Sequence, residues 1–145
     1  MSAPQGVEPF FHVGYLVPDL ERAMAEMTAT IGIMWGPVKD RASGEMRWRV
    51  VYSAGEPPYV ELIEGRPGCP WYSPGGAELH HFGRYEVDLD RGIERIADAG
   101  GWVEVDGRAI SGRWVYMRVP SSGALIELIE APDGGVERLA QLRGA

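Results

Sequence analysis

The stretch HVGYLVPDL at residues 12–20 recurs with the same landmarks as HFGRYEVDL at residues 81–89. In both stretches a glycine follows the histidine by two positions, and an Asp-Leu pair follows it by seven and eight. A second pair of segments, VELIE at 60–64 and IELIE at 126–130, is displaced by 66 residues, close to the 69 residues that separate the first pair. Two matches at nearly equal spacing indicate that the chain contains two copies of one structural unit.

Hydrophobic periodicity predicts the same five elements in each copy. A strand leads into a helix that an aspartate caps (Asp19, Asp88) and that glycine ends (Gly32, Gly100), and three more strands follow. The predicted strands are 10–17, 36–39, 47–53 and 59–64 in the first copy, where 36–39 is the weakest signal, and 79–87, 102–106, 113–119 and 124–130 in the second. We therefore predict an α+β fold of two tandem βαβββ modules.

The module boundaries follow from the repeat. The first module is expected at 8–65, a Pro/Gly-rich linker at 66–77, the second module at 78–131 and a short amphipathic helix at 132–145, all within one domain. The net charge of −7 argues against nucleic-acid binding, and the chain has no apolar run of membrane-spanning length or secretory signal, so we expect a cytoplasmic protein. The single cysteine, Cys69, excludes an internal disulfide and a CxxC motif.

The segments HVGYLVPDLERA, YVELIEG, LHHFGRYEVDLDRGI and ALIELIEAP, in this order, resemble the vicinal oxygen chelate superfamily. That superfamily includes glyoxalase I, methylmalonyl-CoA epimerase, extradiol dioxygenases and bleomycin-resistance proteins. The resemblance covers residues 8–131. It implies that the sheets of the two modules form a cupped, incomplete barrel.

The resemblance also implies a metal site whose ligands come from the first and last strands of each module: His12, Glu61, His81 and Glu127. Two imidazoles and two carboxylates suit one divalent ion, and nickel, cobalt, zinc, manganese and iron all remain open. The repeat register favours His81 over the neighbouring His80, because only His81 precedes glycine by two positions, as His12 does. A carboxylate among apolar residues is costly to bury unpaired, and here it occurs twice at matching positions. By contrast, Glu64 and Glu130 stand at strand ends, where solvent is expected to hydrate them.

The chemistry that the resemblance implies is proton transfer next to a metal-chelated carbonyl, by a glyoxalase-like lyase or an epimerase-like isomerase on a small thioester or hemithioacetal. Glu127 is the best candidate for a ligand that doubles as base, and Glu61 is the alternative. Glyoxalase I carries a His-Glu-His-Glu set, as here, whereas the epimerases usually have glutamine at the position of Glu61. The epimerases, however, share the Leu-His-His segment at 79–81. An extradiol dioxygenase is less favoured, because those enzymes bind iron through two histidines and one carboxylate, whereas this chain offers a second carboxylate, Glu61.

The alternative to an enzyme is a protein that sequesters an apolar or aromatic ligand, as bleomycin-resistance proteins do. Five tryptophans favour it mildly, and Trp48, Trp114 and Tyr116 are the expected substrate-binding aromatics in either case. Two modules with exposed sheet edges also predict a homodimer. Whether the site is built within one chain or across two stays open from the sequence alone.

Overall fold

The computed structural model describes residues 7–132, with side chains from Phe10 onward. The helix expected at 132–145 lies outside this range, apart from Pro132. The elements in chain order are β1 (Val7–Leu16), α1 (Leu20–Ile31), β2 (Lys39–Ser43), β3 (Met46–Tyr52), β4 (Tyr59–Gly65), β5 (Glu78–Glu86), α2 (Leu89–Asp98), β6 (Trp102–Asp106), a 3-10 turn (Gly107–Ala109), β7 (Trp114–Arg118) and β8 (Leu125–Glu130). None of the described helices has the length and apolar character needed to cross a membrane.

The chain divides into two compact units. Of the described residues, Phe11–His81 form the first unit, and 82–132 together with 7–10 form the second unit. In the first unit the strand order is β2-β3-β4-β1, in which β1 runs parallel to β4 and the other neighbours are antiparallel. Helix α1 packs on this sheet through Leu20, which lies in a buried cluster with Val17, Val51 and Leu62.

The second unit repeats this plan. Its strand order is β5-β8-β7-β6, with β5 parallel to β8 and antiparallel pairing elsewhere. Leu89 of α2 is buried with Val115, Met117 and Leu128, the counterpart of the first cluster. The predicted α+β fold of two βαβββ modules is therefore confirmed.

One strand is displaced from its expected position. The sequence predicted the second strand at 36–39, whereas β2 begins at Lys39 and ends at Ser43. Gly36 instead donates its amide to the carbonyl of Tyr52, in a short bridge that precedes the strand. Most residues of β2 are polar and exposed, so the strand carries no hydrophobic alternation that a sequence pattern could detect.

Both helices begin as the sequence predicts. Asp19 accepts a hydrogen bond from the amide of Arg22 and Asp88 one from the amide of Arg91, at 3.0 and 3.2 Å. Helix α1 ends at Gly32, whose φ of 73° is the left-handed conformation that glycine adopts without strain.

The expectation that Glu64 and Glu130 are merely hydrated is wrong. Glu64 Oε2 accepts the backbone N–H of Leu20, the first residue of α1, at 2.8 Å. In the second unit Glu130 likewise accepts the amide of Leu89, the first residue of α2. Each of these glutamates thus satisfies an amide that the helix itself leaves unpaired, and its charge interacts favourably with the positive end of the helix dipole.

This contact predicts a stability effect. Replacing Glu64 by alanine removes a charge-assisted hydrogen bond at the start of α1, and we expect the free energy of unfolding to fall by about 1–2 kcal/mol. Urea unfolding followed by circular dichroism measures the change. The matched control is Glu56→Ala in the exposed loop between β3 and β4, which should stay within about 0.5 kcal/mol of the parent protein. Equal losses in the two variants would show that Glu64 does not stabilise the helix.

Candidate metal centre

Two histidines and one carboxylate meet in the buried interior of the first unit, Phe11–His81, which includes the start of β5. His12 on β1 and His81 on β5 are 0% and 1% exposed, and their Nε2 atoms lie 2.9 Å apart. Glu61 on β4 is 5% exposed, and its Oε1 lies 3.1 Å from Nε2 of His81 and 3.5 Å from Nε2 of His12. The structure thus brings three of the four expected ligands into one triangle of donor atoms, which we call the His-Glu-His triangle.

Strand register explains how Glu61 reaches this position. In the β1–β4 pair, Glu61 stands opposite Gly14, and His12 lies two residues from Gly14 on the same face of β1. Position 14 requires glycine, because a larger residue would clash with the ring of His81. A Cβ atom there would lie 2.2 Å from Cε1 and 2.6 Å from Nε2 of His81. The His-x-Gly motif therefore provides one candidate ligand, His12, and also the space that the ring of a second candidate, His81, occupies.

The three distances within the triangle fit ligand atoms around one cation. With metal–ligand bonds of about 2.1 Å, two ligand atoms are about 3.0 Å apart at a 90° bond angle and about 3.4 Å apart at a tetrahedral angle. The triangle has edges of 2.9, 3.1 and 3.5 Å. Two imidazole nitrogens and a carboxylate oxygen are also ligand types that nickel, cobalt, zinc and iron accept.

The electrostatics of Glu61 support the same conclusion. Burial by itself would disfavour the charged carboxylate, but the imidazoles of His12 and His81 and a hydrogen bond from Tyr52 outweigh it and lower the pKa of Glu61 to about 2. Glu61 is therefore an anion at neutral pH. Its Oε1 is buried and, among the described residues, accepts no hydrogen bond of ordinary geometry. A buried anionic oxygen of this kind is well suited to a cation.

Glu127, the fourth expected ligand, belongs to the second unit. It lies on β8, is 7% exposed, and stands between Gly83 on β5 and Tyr116 on β7. Glu61 has the same two kinds of neighbour, Gly14 on β1 and Tyr52 on β3. The repeat therefore extends from the sequence to the strand register around each glutamate.

His80 is not one of the corners of the triangle. It is half-buried, and its Nδ1 lies 2.8 Å from Nδ1 of His81, the ring nitrogen that points away from Glu61. Of the two adjacent histidines, the structure brings His81 to His12 and Glu61.

The expected substrate-binding aromatics lie in packed surroundings. Trp48 is buried, and its ring centroid is 4.6 Å from that of Trp71 in the linker. Tyr116 is also buried, 5.0 Å from the half-buried ring of Trp114. The sequence could not reveal that the linker covers Trp48, because contacts between distant segments leave no local pattern.

Sequence reasoning missed Tyr52, which hydrogen-bonds Glu61 and whose ring centroid lies 5.6 Å from that of His12. The sequence did contain a signal for Tyr52: it lies on the same predicted strand as Trp48, just as Tyr116 lies on the matching strand with Trp114. The space that Gly14 provides was missed as well.

The close packing over Gly14 gives a prediction. Gly14→Ala should displace the His81 ring and weaken divalent-metal affinity by about tenfold or more, because a ligand would leave the triangle. Titration calorimetry with Zn²⁺ measures the affinity. Gly75→Ala is the matched control, since a Cβ there meets no described atom within 4 Å. A Gly14→Ala protein with the parent affinity would contradict this role for glycine.

Comparison with known proteins identifies the family and the fold. Residues 11–116 match the family described as the Glyoxalase/Bleomycin resistance protein/Dioxygenase superfamily. No relative was found among functionally curated proteins. The fold is similar to methylmalonyl-CoA epimerase from Mycobacterium tuberculosis, with 21% identity, a TM-score of 0.66 and 97% of both chains covered. It is also similar to a Streptomyces coelicolor methylmalonyl-CoA epimerase in complex with 2-nitronate-propionyl-CoA, with 20% identity, a TM-score of 0.65, and 88% of this chain and 96% of that chain covered. Since the family match spans residues 11–116, which is most of the chain, and both modules share one plan, the chain belongs to the Glyoxalase/Bleomycin resistance protein/Dioxygenase superfamily.

Proposed function

We propose that this protein is a divalent-metal-dependent enzyme that moves a proton to or from the carbon next to a thioester carbonyl. The observation that carries the proposal is the His-Glu-His triangle, a buried anion and two imidazoles spaced as ligands of one cation. A bound divalent cation would supply a Lewis acid that polarises a carbonyl oxygen and stabilises the negative charge developing on it.

Within this proposal, Nε2 of His12, Nε2 of His81 and the carboxylate of Glu61 hold the cation, and Glu127 supplies the fourth ligand. The support for Glu127 is its register. It is buried between a glycine and a tyrosine, as Glu61 is in the first unit. Four protein ligands leave coordination positions for a substrate on a five- or six-coordinate ion.

Glu127 is also the proposed base, in preference to Glu61. Both imidazoles and the Tyr52 hydroxyl contact the Glu61 carboxylate, so a proton arriving there would oppose three favourable interactions. This makes Glu61 a fixed ligand and assigns the proton transfer to Glu127. A polarised carbonyl makes the adjacent C–H more acidic, which reduces the driving force that a carboxylate base must supply.

The substrate class comes from the similar structures. Several are methylmalonyl-CoA epimerases, and one of them is described in complex with methylmalonyl-CoA and NH4+. We therefore propose an epimerase-like isomerase acting on a coenzyme A thioester.

A glyoxalase-like lyase acting on a hemithioacetal is the second candidate. The observation that favours it is the identity of residue 61. A glutamate there gives each module one histidine and one carboxylate, the set that the resemblance to glyoxalase I implies, whereas the epimerases usually have glutamine.

Metal binding is tested first. Protein purified without chelator should contain about one divalent ion per chain by elemental analysis, and His12→Ala should lose it, because a ligand with no substitute is removed. A metal-free parent protein that still binds aromatic ligands would instead favour the sequestration alternative.

Proton transfer is tested by deuterium incorporation from heavy water into methylmalonyl-CoA, with the hemithioacetal of methylglyoxal and a thiol as the second probe. Glu127→Gln should keep metal, since an amide oxygen can ligate, but should lose about 100-fold or more of the exchange rate, since an amide cannot accept the proton. Glu56→Gln, exposed in the loop between β3 and β4, is the matched control. An active Glu127→Gln protein, or oxygen consumption with a catechol, would rule out the proposed reaction.

A further inference from the structure

Both ring nitrogens of His81 have a described neighbour. Nε2 faces His12 at 2.9 Å and Glu61 at 3.1 Å, while Nδ1 lies 2.8 Å from Nδ1 of His80. The two adjacent rings are nearly perpendicular, with an interplanar angle of 87° and centroids 5.1 Å apart. His81 is therefore held between the His-Glu-His triangle on one side and His80 on the other.

The contact between the two Nδ1 atoms constrains where protons sit. Two nitrogens at hydrogen-bond distance share one proton, and a neutral imidazole carries its single N–H on either Nδ1 or Nε2. A cation on Nε2 of His81 requires the lone pair at that atom, so the proton of His81 must then be on Nδ1. Nδ1 of His80 is the acceptor that this N–H faces.

We propose that His80 is a positioning residue: its Nδ1 accepts the Nδ1–H of His81, and so fixes the tautomer and ring orientation that present Nε2 of His81 to a divalent cation. Gly14 leaves room for the Cε1 edge of this ring, since a Cβ at position 14 would lie 2.2 Å from Cε1 of His81. This inference rests on the metal-binding half of the proposed function and is independent of the reaction.

A hydrogen bond to the second nitrogen of a metal-bound histidine strengthens binding because it holds the ring in place and makes the ligating nitrogen more basic. Carboxylates, carbonyls and waters are the usual acceptors. An imidazole in this role is neutral, so it leaves the balance between the cation and the nearby carboxylates unchanged. The sequence marks the arrangement only as two adjacent histidines, because neighbouring residues on a strand normally point to opposite faces.

The test uses Co²⁺ as the probe, with the dissociation constant and the visible absorption bands as readouts. His80→Phe keeps a ring and removes the acceptor, so it should bind Co²⁺ roughly 10–100-fold more weakly with shifted absorption bands. His80→Asn places an acceptor oxygen near the position of Nδ1, and should restore affinity to within about threefold of the parent. Leu79→Ala, an exposed neighbour on β5, is the control that should change neither readout.

The outcomes separate this inference from the proposed function. A folded His80→Phe protein with the parent affinity and spectrum would overturn the role of His80 and leave the metal site intact. A parent protein that binds no Co²⁺ would instead overturn the metal site itself. If His80→Phe lowers the thermal stability of the metal-free protein, His80→Asn decides, and a folded His80→Asn protein with weak binding would also overturn the inference.

Discussion

The burial of one carboxylate is the constraint on which the functional centre depends. Glu61 is removed from water and lies between apolar neighbours, Val60 and Leu62, where an unpaired charge would cost several kcal/mol. Two imidazoles and a tyrosine hydroxyl compensate for that cost in part, and Oε1 still accepts no ordinary hydrogen bond among the described residues. A cation would complete the compensation, which is why the atoms that make this strand costly to bury are also the candidate ligands.

The ELIE tetrapeptide connects this site to the fold. Glu61 and Glu64 are three residues apart on β4, so their side chains lie on opposite faces of the sheet. One carboxylate joins the His-Glu-His triangle, while the other accepts the first amide of α1. The second copy of the tetrapeptide caps α2 through Glu130. In each copy, therefore, one acidic position of this short repeat is a candidate ligand and the other accepts the first amide of a helix.

The sequence predicted correctly the elements that have a clear hydrophobic period or a recognisable capping residue. It did not predict the position of the polar strand β2 or the contacts between particular side chains. The helix caps at Asp19 and Asp88 are confirmed, because they depend on residue types next to an apolar pattern. The exposed strand β2 was misplaced because most of its residues are polar and carry no alternation. The covering of Trp48 by Trp71 and the contact between His80 and His81 were missed, since each depends on how particular side chains pack.

The identity of residue 61 has a further electrostatic consequence for the proposed centre. A divalent cation with two carboxylate ligands has a net charge near zero, whereas one carboxylate and one amide would leave it near +1. The more positive centre attracts the negative charge developing on a substrate oxygen more strongly, and this attraction is large because buried charges are poorly screened. A neutral centre attracts an anionic substrate less strongly than a centre of charge +1 does, whereas the affinity for a neutral substrate depends much less on that charge. Within the proposed centre, the buried and ionised Glu61 would therefore lower the preference for a thioester carrying a free carboxylate over a neutral hemithioacetal.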